Sequence, residues 1–133
     1  MAIKSATNFD DTLFGTSAND TIDGLAGNDF IYGDYGNDRL YGNSGNDSVI
    51  GIWGNDALYG GSGDDVIGFE SFHDEIGDDY IDGDDGSDRI YAGTGNDTVY
   101  GGYGTDFIYG GAGNDYTALL GLIAPLYTSK ALF

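Results

Sequence analysis

A nine-residue period runs through most of this chain, and no other feature restricts its fold as much. Written as G-x-x-G-N-D-x-U-x, with U an aliphatic residue, the frame begins at residues 6, 15, 24, 33, 42, 51 and 60, and again at 74, 83, 92, 101 and 110. GLAGNDFIY, Gly24 to Tyr32, is its plainest copy. Position six is aspartate in all twelve: Asp11, Asp20, Asp29, Asp38, Asp47, Asp56, Asp65, Asp79, Asp88, Asp97, Asp106 and Asp115. Position eight is Leu13, Ile22, Ile31, Leu40, Val49, Leu58, Ile67, Ile81, Ile90, Val99 and Ile108, and departs only at Thr117. Position four is glycine from Gly27 onward, and position five is mostly asparagine. Chance does not hold four columns in phase over so many residues.

Glycine at positions one and four permits positive φ, and asparagine at position five tolerates the left-handed region, so positions one to six read as turn. The last three residues, FIY or RLY, set one aliphatic between two outward neighbours, the alternation of a very short strand. One turn and one strand reverse the chain once. Two copies therefore make a coil of eighteen residues, and the expected fold is all-β, a solenoid of two facing parallel sheets with one core residue per strand.

Such a core is thin. One aliphatic per nine residues buries little apolar surface against the entropy of ordering the chain, and twelve aspartates in register add repulsion. The 133 residues carry a net charge of −19, with a pI near 4.1. That charge argues against nucleic acid and anionic membrane as partners and points to cations bound at the turns. With no cysteine, thiolate metal sites and disulfides are excluded. The N-terminus MAIKSATNFDD lacks the apolar core of a Sec signal, and no run approaches the roughly 18 apolar residues of a membrane span.

The double-glycine copies GGSGDDVIG from Gly60, GGYGTDFIY from Gly101 and GGAGNDYTA from Gly110 resemble the hemolysin-type, or RTX, calcium-binding nonapeptide G-G-x-G-x-D-x-U-x. The resemblance covers residues 6 to 118. It implies a right-handed parallel β-roll whose coils stack at about 4.8 Å, with calcium between successive turns. Each ion would take carbonyls at positions two and four and the aspartate of one turn. The turn eighteen residues on would add carbonyls at positions one and three and its own aspartate, as in Leu25, Gly27 and Asp29 with Gly42, Ser44 and Asp47. The metal set so implied is Asp20, Asp29, Asp38, Asp47, Asp56, Asp65, Asp79, Asp88, Asp97, Asp106 and Asp115, with Gly27, Gly36, Gly45, Gly54, Gly63, Gly86, Gly95 and Gly104. Pairing the copies gives about seven ions, and up to nine if pairs 51 with 74 and 60 with 83 also stack. For a single copy, an ordinary Asx turn would explain the aspartate as well; twelve in register favour the metal.

The frame's departures divide the chain. Residues 1–14 hold the N-terminal segment and a first copy without glycine, so Asp11 is left out of the metal set. Residues 15–68 form the first block of the roll, 69–73 an inserted loop, 74–118 the second block, and 119–133 an apolar tail suited to capping the open end or to serving as part of an export signal. The single histidine, His73, sits in the insertion near Glu70, Asp74 and Glu75 and reads as loop, since a zinc triad has no second histidine. No G-x-S-x-G, HExxH or P-loop is present, so no enzyme activity is expected. Tyr32, Tyr41, Tyr59, Tyr91, Tyr100 and Tyr109 at position nine, with Phe30, Tyr80 and Phe107 at position seven, would align in outer ladders. Those ladders offer sheet packing or a face for glycan, a neighbouring domain or self-association. The expected function is calcium binding with calcium-induced folding of a secreted structural module, exported without a Sec signal by a type I system. The alternatives are an accessory region of a secreted enzyme or toxin, of the serralysin, alginate epimerase or pore-forming kind, and an adhesive surface protein.

Overall fold

The computed structural model describes residues 6–70 and 75–119. Within them the chain forms twelve strands and no helix: β1 (Thr12–Phe14), β2 (Thr21–Asp23), β3 (Phe30–Tyr35), β4 (Arg39–Ser44), β5 (Ser48–Trp53), β6 (Ala57–Ser62), β7 (Val66–Ile67), β8 (Tyr80–Asp85), β9 (Arg89–Tyr91), β10 (Thr98–Tyr100), β11 (Phe107–Tyr109) and β12 (Tyr116–Ala118). Each copy of the frame contributes one. The odd-numbered strands make one six-stranded sheet and the even-numbered strands the other, with parallel neighbours throughout. Leu13 pairs with Ile31 and Ile22 with Leu40, an offset of eighteen residues. The architecture is the expected β-roll of two copies per coil.

Alternation explains why the sheets face as they do. The middle residue of each short strand points inward, and Leu13, Ile22, Ile31, Leu40, Val49, Leu58, Ile67, Ile81, Ile90, Val99 and Ile108 form one buried file joined by Ala92. Ala6 packs against this file at one end and Leu119 at the other. Beyond Leu119 the proposed tail or cap lies outside the described residues, as does His73.

Two details differ from the frame as read. Strands β3, β4, β5, β6 and β8 have six residues, because the ladder continues from position seven through position three of the following copy. The turn is therefore shorter than six residues in the middle of the roll. Across the insertion, Leu58 pairs with Ile81 and Ile67 with Ile90. The offset there is twenty-three, five more than elsewhere, so the added residues leave both ladders in register.

The outward aromatics pack on one another. Tyr41 and Tyr59 are stacked at 4.8 Å, and Tyr59–Tyr80, Tyr80–Tyr100 and Tyr100–Tyr116 continue the line at 5.8, 5.7 and 6.0 Å. Five rings thus join five strands of the even-numbered sheet. The first pair stacks face to face, the next two are tilted and the last is edge-on, so the outer tyrosines pack along the ladder as cross-strand neighbours. On the odd-numbered sheet, Phe14–Phe30 and Tyr91–Phe107 are separated by Ser48, Ile50, Val66 and Gly68, where a groove opens beside Phe69 and Glu70. Among the described residues, no helix is long and apolar enough to cross a membrane.

Candidate metal centres

Position six closes each turn and directs its carboxylate into the corner between the sheets. Asp20, Asp29, Asp38, Asp47, Asp56, Asp65, Asp79, Asp88, Asp97 and Asp106 are all buried, while Asp11 and Asp115, at the two ends, are half-buried. From Asp29 onward, one oxygen of each is held by the neighbouring coil. On one corner the N–H groups of Asp11, Asp29, Asp47, Asp65 and Asp88 donate to Oδ1 of Asp29, Asp47, Asp65, Asp88 and Asp106 at 2.7–3.1 Å. On the other, those of Asp20, Asp38, Asp56, Asp79 and Asp97 donate to Asp38, Asp56, Asp79, Asp97 and Asp115 at 2.8–3.2 Å. These aspartates bond between coils, which an isolated Asx turn does not require.

The second oxygen has no such donor. Oδ2 of Asp29, Asp38, Asp47, Asp56, Asp65, Asp79, Asp88 and Asp97 is buried without a hydrogen-bond partner among the described residues. For Asp29, Asp38, Asp47, Asp56, Asp65 and Asp88 the position-one glycine of the same copy lies beside it. A Cβ on Gly24 would sit 2.5 Å from Asp29 Oδ2 and 2.9 Å from the carbonyl oxygen of Gly42, one coil on. The same cradle recurs at Gly42, between Asp47 Oδ2 and Gly60 O, and at Gly60, between Asp65 Oδ2 and Gly83 O. A buried carboxylate oxygen with a carbonyl beside it and no donor is unfavourable on its own. A cation satisfies both oxygens at once.

Burial is the main force on these carboxyls. Desolvation raises Asp38 and Asp65 to about 6, Asp88 and Asp97 to about 7 and Asp79 to about 8, opposed by the backbone N–H each accepts and assisted by neighbouring negative charge. Asp29, Asp47, Asp56 and Asp106 move upward for the same first reason. The charged form of each lacks compensation that a bound cation would supply.

The first two copies are built differently. Thr16 donates its N–H at 2.6 Å and its hydroxyl at 2.8 Å to Asp20 Oδ2, and Thr7 does the same for Asp11 Oδ2 at 2.7 and 2.8 Å. Both threonines stand at position two. In later copies position two is left-handed, with φ of 75° at Leu25 and 90° at Ile52. The sequence implied a metal role for Asp20 equal to that of the others, and these bonds set it apart.

The turn chemistry also needs correction. Position-one glycines from Gly24 onward are not left-handed: they are glycine because a Cβ has no room. Positions two and four carry the positive φ. Asparagine at position five is not left-handed either. Its Oδ1 accepts the position-five N–H of the next coil, as from Asn37 to Asn19, Asn46 to Asn28 and Asn55 to Asn37 at 2.8–2.9 Å. Two ladders of side-chain acceptors therefore run beside the backbone ladders. The position-four carbonyl borders the same turn: a Cβ on Gly45 would collide with Gly27 O, and one on Gly63 with Gly45 O. Leu25 O and Ser44 O of the implied ligand set already accept N–H groups from Ser44 and Gly27.

Among the described residues, no three His, Cys, Asp or Glu side chains converge on one point, so a metal here must complete its shell with main-chain carbonyls. Carboxylate and carbonyl oxygens form a hard donor set that suits calcium. The family model of the RTX calcium-binding nonapeptide repeat matches the chain four times, over residues 5–38, 32–67, 68–99 and 82–116. The chain belongs to the RTX calcium-binding repeat family. No curated protein and no solved structure matches the chain significantly. Calcium binding by the roll is thus a property of this RTX chain, and its orphaned oxygens fit that ion.

Sequence reasoning missed two parts of this RTX roll. The position-one glycines wall the carboxylates, a role visible only once coils are stacked. Glu75, which the sequence places beside the insertion, is buried with its Oε2 accepting the N–H of Ile52 at 2.9 Å. Its signal was the acidic residue at a position that is otherwise mostly glycine or a turn former.

Proposed function

We propose that calcium is the folding ligand of this roll and that the chain acts as a secreted structural module which orders where calcium is plentiful. The carrying observation is the set of eight buried Oδ2 atoms without a donor, from Asp29 to Asp97. Each would bind one ion together with the position-one carbonyl of the next coil and further carbonyls of the two turns, including those of Gly27, Gly36, Gly45, Gly54, Gly63, Gly86, Gly95 and Gly104. Asp106 and Asp115 would serve as the second carboxylate of the last pairs. Eight divalent ions supply sixteen positive charges against a net −19, which removes most of the self-repulsion that opposes folding.

Extracellular calcium modules bind at about 10⁻⁴ to 10⁻³ M. At that affinity the chain stays loose in a calcium-poor compartment and folds after export, since ligand binding and folding share one free energy. Adjacent ions share a turn, so folding is cooperative. Far-UV circular dichroism during calcium titration tests this, with magnesium as control and a chelator to reverse it. The expected outcome is a cooperative, reversible coil-to-sheet change specific to calcium. A sheet spectrum that persists in chelator and ignores calcium would refute calcium-induced folding.

A further inference from the structure

Position one of the frame bounds the space that an ion would take. At Gly24, Gly42 and Gly60, the point where a Cβ would stand lies 2.5 Å from Oδ2 of the same copy's aspartate. It also lies 2.5–2.9 Å from the position-one carbonyl oxygen of the next coil. Calcium takes its oxygen ligands at about 2.3–2.6 Å. In these copies, therefore, a methyl and an ion would compete for nearly the same place.

One copy carries the methyl. The frame that begins at 92 has Ala92 at position one and Asp97 at position six. Its backbone follows the glycine copies: the N–H of Ala92 donates to Tyr109 O at 2.9 Å, as that of Gly24 donates to Tyr41 O at 2.8 Å. Ala92 is fully buried and packs with the apolar file, so its Cβ turns inward. The shared register sets that methyl against the Asp97 carboxylate and the carbonyl of Gly110, one coil on. Asp97 Oδ2 is buried without a hydrogen-bond partner all the same. The N–H of Asp97 donates to Oδ1 of Asp115 at 3.2 Å, the longest bond of the two aspartate ladders. Ala6, the other alanine at this position, belongs to a copy whose carboxylate Thr7 already closes. Ala92 alone thus sets a methyl beside an orphaned oxygen among the described residues.

We propose that Ala92 makes Asp97 the weakest calcium site of the roll, its methyl intruding where a position-one glycine leaves the ion room. This rests on the calcium reading above. To bind at Asp97 the ion must displace the methyl or lengthen its bond to one of the two oxygens. Forcing an extra methyl into a packed site costs enough to lower affinity by about tenfold or more. Asp97 therefore fills last, and the coil that begins at residue 92 is the last part of the roll to be loaded.

Ala92→Gly separates this role from simple packing, because the two require opposite signs. Loss of a buried methyl and a freer unfolded chain would loosen the fold and weaken calcium binding throughout. Removal of an obstruction strengthens binding at Asp97. Calcium is withdrawn stepwise from the saturated full chain while the backbone amides of Asp97 and Asp38 are followed by NMR. Asp38 is the internal reference, since it lies on the same corner with Gly33 at position one. In the wild-type chain, the Asp97 amide is expected to change at a calcium concentration about tenfold above that for Asp38. In Ala92→Gly the Asp97 midpoint is expected to fall to that of Asp38. Coincident midpoints in the wild-type chain, a comparison that needs no variant, would overturn the assignment while leaving calcium binding by the roll intact. So would a separation that Ala92→Gly leaves unchanged. A wild-type chain in which neither amide responds to calcium would instead remove the reading on which the assignment rests.

Discussion

The first two copies of the frame and the eight that follow use the same aspartate on the same ladder, and they satisfy it in opposite ways. In Asp11 and Asp20, Oδ2 accepts two bonds from the threonine at position two. In Asp29 through Asp97 position two supplies no donor, and Oδ2 is buried without a hydrogen-bond partner among the described residues. The residue at position two therefore separates carboxylates closed by hydrogen bonds from those left without a donor, and the proposed calcium sites fall on the second group. Repeats whose carboxylates are closed by threonine donors begin the roll, and repeats whose Oδ2 lacks such a donor continue it.

The comparison is broken most severely in the middle of the roll. Asp56→Asn keeps an acceptor for the Asp38 N–H but removes the charge, and is expected to cost the calcium-bound protein about 3 kcal/mol, the scale of an uncompensated buried ion. Asp20→Asn, where threonine donors remain, is expected to cost about 1 kcal/mol. Urea denaturation in saturating calcium measures both. Equal losses would erase the distinction between the two regions.

Acidity offers a second, smaller lever. A carboxyl whose pKa is raised by folding binds protons more readily folded than unfolded, so the metal-free roll gains stability as pH falls through about 8 for Asp79, 7 for Asp88 and Asp97 and 6 for Asp38 and Asp65. The gain ends near the unfolded value of 3.8. In chelator, the sheet signal in far-UV circular dichroism is expected to be larger at pH 5 than at pH 8, the direction in which proton uptake favours the folded form. Calcium affinity moves the other way, because the ion must displace those protons. Metal-free sheet content that rises with pH would contradict the burial described for these groups.

Thr16→Gly sharpens the comparison directly. It removes the hydroxyl donor to Asp20 Oδ2 and permits the left-handed turn of the later copies, so one additional calcium ion per chain is expected. Equilibrium dialysis counts the ion. The smallest effect is expected from Leu25→Gly, which relieves a left-handed leucine at some cost in unfolded-state entropy and should stabilise the folded protein by about 0.5 kcal/mol in thermal melts.

The fold was legible because a period of nine with one aliphatic per copy admits few solutions other than a two-sheeted coil, and the file from Leu13 to Ile108 followed from position eight alone. The aspartate column was legible for the same reason. What a linear pattern hides is the neighbour eighteen or twenty-three residues away. It does not show that Asp29 Oδ1 belongs to the coil before it, that Gly24 is small because Asp29 and Gly42 crowd it, or that asparagine such as Asn28 serves a ladder. Glu75 stood at a turn position of the copy that begins at 74, and its burial depends on the register across β6 and β8, which sets it against Ile52 of the neighbouring coil.

The position of the ions tests the account most directly. Anomalous diffraction from crystals of the calcium-loaded protein is expected to place one ion at Oδ2 of each of Asp29, Asp38, Asp47, Asp56, Asp65, Asp79, Asp88 and Asp97, with Thr7 and Thr16 still bonded to Asp11 and Asp20. Ions at Asp11 and Asp20 as well as at the rest, or none beside the eight orphaned oxygens, would contradict it.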